Sequence, residues 1–116
     1  MDLGLRNHIV PRRNYDVGFT LENVVYFELL CRGYKVMIGK FGSTEVDFVA
    51  EKCGAYTYYQ VTADLTARET FEREMRPLRR IQDNYEKIIL TADRLTLGNY
   101  EGIQVLNLPD WLIGKA

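Results

Sequence analysis

Apolar positions repeat at two different periods along this chain, and each change of period marks a new element. From about Val17 to Arg32 they recur three and four residues apart: Leu21, Val24, Val25 and Leu29 form one stripe, and Phe27, Leu30 and Cys31 widen it. This spacing predicts an amphipathic helix, and Gly33 supplies its stop. A helix apolar over so much of its circumference is expected to be covered on more than one side. Three runs rich in β-branched and aromatic residues follow, at Tyr34–Gly39, Thr44–Glu51 and Ala55–Thr62. The loop Gly39–Ser43 and the pair Cys53-Gly54 separate them, so they read as successive strands.

The period then returns to a helical one. Thr66-Ala-Arg-Glu69 has the form of a capping box, in which hydroxyl and carboxylate each satisfy an end amide. Glu69→Arg73 and Glu72→Arg76 stand in the favourable i,i+4 order. Phe71, Met75, Leu78 and Ile81 carry the buried stripe across Pro77, whose ring is expected to bend or break the helix there. Lys87–Thr91 is a short apolar strand, Gly98-Asn99 a turn, Gly102–Asn107 a further strand, and Pro109-Asp-Trp-Leu a closing helical turn. The order is α-β-β-β-α-β-β, and strands alternating with helices around one core predict an α/β sandwich. The first three strands are expected to form an antiparallel meander. The fourth is expected beside the third, in parallel, through a helical crossover.

The hairpin carries the candidate chemistry. Side chains alternate faces along a strand, which groups Val46, Phe48 and Ala50 on one face and Glu45, Asp47 and Val49 on the other. If Cys53-Gly54 is a two-residue turn, Asp47 stands opposite Gln60 and Glu45 opposite Thr62, with opposed Cβ atoms about 4.5–5.5 Å apart. That separation suits a shared divalent cation; the plain alternative is a polar pair on a solvated sheet face. Asp47 lies mid-strand between Val46 and Phe48, where aspartate is disfavoured, and this raises its claim to a role. Glu22 lies in the first helix among apolar neighbours, where a carboxylate is costly unless paired or bound to a cation; the alternative is a partly exposed helix glutamate. Glu45 is a weaker candidate ligand. Gln60 offers an oxygen without charge, whereas Mg²⁺ favours hard, usually anionic oxygens. Arg73, Arg76 and Arg80 share one side of the second helix, either as a solvated face or as a ridge for phosphates.

Composition narrows the field. A chain of 116 residues, 47% hydrophobic and 27% charged, is ordinary for one globular domain. A net charge of −1 gives no global attraction for nucleic acid, so any binding needs a local patch. No apolar run reaches membrane-spanning length, and the first residues lack the pattern of a secretory signal. The two cysteines form no C-x-x-C pair, and a cytoplasmic setting is the simplest expectation. No Gly-rich phosphate loop, G-x-S-x-G or His-based triad occurs.

Leu21-Glu22-Asn23-Val24-Val25-Tyr26, Arg32-Gly33-Tyr34, Glu45-Val46-Asp47-Phe48-Val49-Ala50, Gln60-Val61, Asp83-Asn84-Tyr85 and Ile89-Leu90-Thr91 together resemble a bacterial and archaeal domain of unknown function. That domain is found C-terminal to an AAA-type ATPase core. The resemblance runs from about Gly18 to Leu112. It implies that residues 1–16 are a lead-in from a missing ATPase portion and that residues 17–116 form the C-terminal domain. The domain is similar in fold to the PD-(D/E)XK, or restriction-endonuclease-like, superfamily: a mixed sheet flanked by helices. In that superfamily the site holds a first-helix Glu, a second-strand Asp and an E-x-K on the third strand. Glu22 and Asp47 match the first two, Gln60 stands at the Glu position and Thr62 at the Lys position. The resemblance therefore implies a degenerate catalytic site, with Glu22, Asp47 and Gln60 as candidate Mg²⁺ ligands. A lysine brought in from Lys40 or Lys52 is not favoured by the register. The expected function is a nuclease-fold accessory domain of an AAA-type ATP-binding protein with little or no cleavage activity. The partners are its own ATPase domain and a candidate nucleic acid. Two rivals stand beside it: a Mg²⁺-dependent DNA or RNA endonuclease, and a protein-interaction or homodimerisation module.

Overall fold

A computed structural model describes residues 20–115. The expected lead-in at residues 1–16 and the helix start at Val17 lie outside these residues. Helix α1 spans Leu21–Cys31 and is capped by Thr20, whose hydroxyl accepts from the Asn23 amide at 3.1 Å. Gly33, at φ +91°, turns the chain out of the helix. Strands β1 (Lys35–Phe41), β2 (Thr44–Lys52) and β3 (Ala55–Thr62) follow, then α2 (Arg68–Arg80) and β4 (Glu86–Thr91). Strands β5 (Gly98–Tyr100) and β6 (Ile103–Asn107) and the short helix α3 (Leu108–Leu112) complete the chain. The described strands form one six-stranded mixed sheet in the order β1-β2-β3-β4-β6-β5. Both expected pairings are present: β1–β2–β3 is an antiparallel meander, and β4 lies parallel to β3 with Thr57 beside Glu86 and Thr62 beside Thr91.

Helices cover both faces, giving an α/β sandwich. On one face α1 and α3 bury Val25, Leu29, Leu108 and Trp111 against Val36, Phe48, Ala50, Tyr59, Val61, Ile88 and Leu90. On the other, α2 buries Met75 and Leu78 against Val46, Val49, Tyr58, Ile89, Ile103 and Val105. Arg32 ties α1 to α3: it pairs with Glu28 at 2.8 Å, donates to the Trp111 carbonyl at 2.6 Å and lies over the Trp111 ring. Among the described residues no helix is long and apolar enough to cross a membrane.

Several expectations are corrected. β1 runs on to Phe41, so the first turn is Gly42-Ser43. Phe27, Leu30 and Cys31 face outward: Phe27 and Leu30 are 46% and 43% exposed, because Val25 and Leu29, flanked by Leu21 and Tyr26, fill the contact with the sheet. The capping box does not form; Thr66 bonds Asp64 through both its amide and its hydroxyl, and α2 begins from Ala67 with no side-chain cap. α2 is not broken at Pro77 and runs on to Arg80. Glu72 pairs with Arg79 rather than Arg76, at 2.9 Å. Gly98-Asn99 belongs to β5, and the turn to β6 falls at Glu101-Gly102, both at positive φ.

Candidate functional site

The hairpin register holds as far as it pairs: Lys52 faces Ala55 and Phe48 faces Tyr59. Cys53 and Gly54 make the turn, at φ +54° and +83°, the pair of positive values that a tight right-twisted hairpin requires. Beyond Phe48 the backbone ladder stops. On the β1 side the register slips between Met37–Val49 and Gly39–Val46, so that Ile38 alone stands opposite Asp47 and Phe48. This is a β-bulge in β2. Gly39 makes room for it, since a Cβ there would lie 2.8 Å from the Val49 methyl. The bulge also breaks the expected alternation: Val46 packs with Val49 on the α2 side, while Phe48 packs on the α1 side.

Asp47 and Gln60 do meet, in a way the alternation pattern does not convey. The Asp47 amide donates to Gln60 Oε1 at 2.9 Å, and the Val61 amide donates to Asp47 Oδ2 at 2.9 Å. Side chains thus take over from the backbone where β2 and β3 part. Gln60 is only 5% exposed and also donates through Nε2 to the Glu74 carbonyl on α2, at 3.2 Å. Thr62 is half-buried and in register with Thr91. Glu45 is exposed and in register with Lys40 on β1, so the expected pairing with Thr62 is replaced by one on the other side of β2.

Glu74 is the site residue that the sequence reading passed over. Burial pushes its carboxyl above the ordinary value, the neighbouring Arg73 opposes the rise, and Glu22 adds to it. The charge of Glu22 on α1 thus reaches Glu74 on α2, whose carbonyl receives Gln60. The signal was present in the spacing: residue 74 falls on the stripe set by Phe71, Met75 and Leu78. Arg73, Arg76 and Arg80 are all exposed on α2. Lys40 is exposed in register with Glu45, and Lys52 is committed to the Arg32 carbonyl at 2.8 Å and the Tyr34 ring.

Two of the three candidate Mg²⁺ ligands, Asp47 and Gln60, already take part in holding β2 to β3. The uncharged Gln60 oxygen is taken by the Asp47 amide, and one Asp47 oxygen by the Val61 amide. Magnesium favours hard, usually anionic oxygens, and Gln60 brings no charge. Among the described residues no group of three or more His, Cys, Asp or Glu is gathered closely enough to hold a metal ion.

Two further polar networks serve the fold. Lys87 is buried, and its Nζ donates to Asp83 Oδ1 at 3.0 Å and to the Asp83 and Tyr85 carbonyls, while the Tyr58 hydroxyl donates to Asp83 Oδ2 at 2.7 Å. Burial first, and then the Asp83 carboxylate, push the Tyr58 phenol well above its ordinary range. A cleft of about 510 Å³ opens beside this network, lined in part by Ile81, Asn84 and Tyr85, and none of the candidate site residues lines it. Asp93 organises the loop after β4. Burial opposes its ionisation, but bonds from the Leu65 and Thr96 amides and from the Thr91 and Thr96 hydroxyls hold its carboxyl down to about 2.

Fold and site together define an α/β sandwich domain with a carboxylate-and-amide cluster where two central strands part. The chain is similar to an uncharacterized protein of Haemophilus influenzae, 38% identical over 113 residues, or 97% of this chain. The match takes in only 28% of that relative's length. No protein-family profile matches the chain.

Proposed function

We propose that this chain is a nuclease-fold accessory domain of a larger, AAA-type ATP-binding protein, with little or no cleavage activity of its own. The observation that carries this reading is the use of Gln60. In the PD-(D/E)XK superfamily this position usually gives an anionic oxygen to the metal, though some members carry Gln; here the uncharged oxygen is turned to the Asp47 amide. Hydrolysis with Mg²⁺ needs ligands that fix the ion and a group that assists formation of the attacking hydroxide. Thr62, at the place of the lysine, supplies no cation. Losing one preorganised electrostatic group costs about 10²–10³ in rate, and here two are lost from one site. The ATPase context rests on the resemblance of the motif set; the H. influenzae relative, of which this chain matches a minor part, supports only a place in a longer protein. A cytoplasmic setting accords with that context.

The test is incubation of the protein with single- and double-stranded DNA and RNA in Mg²⁺ and in Mn²⁺, beside Asp47→Ala. No cleavage above the Asp47→Ala background is expected. Strong cleavage that disappears in Asp47→Ala would overturn the proposal in favour of an active endonuclease. One observation favours a role in protein interaction: the outward side of α1 presents Phe27 and Leu30 to solvent. Nucleic-acid contact through Arg73, Arg76 and Arg80 is the companion possibility, and its signature would be a binding constant that falls steeply with salt.

A further inference from the structure

We infer that Gln60 is a two-sided clasp, holding β2 through its amide oxygen and α2 through its amide nitrogen. Restoring a carboxylate at this position would then loosen the domain instead of rebuilding a metal site. The second half of the inference rests on the reading of the cluster as a former metal site; the clasp itself rests on geometry alone.

Both ends of the Gln60 amide are specified. The Asp47 N–H can only donate, so the atom 2.9 Å from it must be the amide oxygen. The Glu74 carbonyl can only accept, so the atom 3.2 Å from it must be the NH₂. Each contact fixes the same orientation independently. The clasp sits where it is needed, because the backbone ladder between β2 and β3 has just ended at Phe48–Tyr59. Without Gln60 the Asp47 amide would lose its acceptor in a partly buried place, and such a loss is costly.

Glutamate fits half of this arrangement. A carboxylate could accept from the Asp47 amide, but it has no hydrogen to give Glu74 and would set a negative charge against a carbonyl oxygen. It would do so at a position only 5% exposed, where an unpaired charge is penalised most. It would also stand beside α2 at Glu74, whose own carboxyl is already pushed up by burial. Methionine has a similar length and fills the space with neither bond. The position therefore calls for a side chain that both donates and accepts without charge.

The first measurement needs no substitution. In the wild-type protein, NMR should show the Gln60 side-chain NH₂ exchanging with solvent far more slowly than that of the exposed Gln82. Fast exchange of the Gln60 NH₂ would overturn the clasp. Next, Gln60→Glu and Gln60→Met are each expected to lower Tm by on the order of 10 °C, and Gln60→Met should speed exchange of the Asp47 amide roughly tenfold or more. A Gln60→Glu protein as stable as wild type that gains Mn²⁺ binding by titration would overturn the inference. These readouts are independent of cleavage. Activity in the nuclease assay would remove the proposed function and leave the clasp standing, whereas fast Gln60 exchange would remove the clasp and leave the proposed function standing.

Discussion

Glu74 is the position where burial and charge are least reconciled. Desolvation raises its carboxyl pKa, Arg73 only partly offsets this, and Glu22 adds to the rise. A carboxyl whose folded pKa lies above its unfolded value contributes stability that is complete below the unfolded pKa and lost as pH rises through the folded one. Stability should therefore increase as pH falls from neutrality toward 4.5, the ordinary value for glutamate. Glu74→Gln should be more stable than wild type at pH 7 and should lack this increase, as thermal melts across that range would record. Asp93 has the opposite sign: its contribution is present above 3.8 and is lost as pH falls to about 2. At this scale the sequence was readable where a residue is out of place, as Asp47 is in mid-strand. It was unreadable where the partner is a main-chain atom. Nothing in the letters near Glu74 says that its carbonyl receives Gln60, and a Gln at a Glu position then looks like simple loss.

The elements themselves were legible because each has a sharp period and a clear stop. The meander, the α2 crossover and the parallel pairing of β3 with β4 all follow from such signals. The misses lie at ends and irregularities. A bulge adds one residue and reverses the facing of everything beyond it, so the grouping of Val46 with Phe48 failed while that of Phe48 with Ala50 held. The α2 start was misplaced because Asp64 offers Thr66 a nearer partner than the helix amides do. That leaves Ala67 at the cap with an extended backbone and no side-chain acceptor. Ala67→Ser or Ala67→Asp should supply one and raise stability by about 0.5–1 kcal/mol, read as a higher denaturation midpoint with an unchanged slope. No gain would mean that the uncapped start of α2 is already satisfied by solvent.

For the whole molecule, the outward side of α1 is the most informative surface. Phe27, Leu30 and Cys31 sit three and four residues apart, pointing away from the core that Val25 and Leu29 enter. Under the proposed accessory role, such a face is where another part of a larger protein would rest. Phe27→Glu with Leu30→Glu should leave the Tm of this domain within a few degrees of wild type, since exposed substitutions typically change stability by about 0.5 kcal/mol or less. A large loss of stability would show that these side chains pack within the domain and would withdraw the surface from consideration.

The sheet is built half from near neighbours in sequence and half from distant ones, and this has a kinetic consequence. β1, β2 and β3 join through turns of two residues, so closing them costs little chain entropy. β4 must wait for the chain to travel through α2, and β6 then docks on β4. The meander is thus the natural folding nucleus, and the parallel half condenses on it. The Cys53-Gly54 turn lies within that nucleus and holds a non-glycine residue at positive φ. Cys53→Asn suits that backbone better, and in stopped-flow measurements it should speed refolding while leaving unfolding nearly unchanged. Ile89→Val, in the late-joining strand, should chiefly quicken unfolding. The parting of β2 from β3 at Asp47 then has a meaning in time: the hairpin can zip from its turn up to Phe48, and its last stretch waits for α2 to arrive and offer the Glu74 carbonyl.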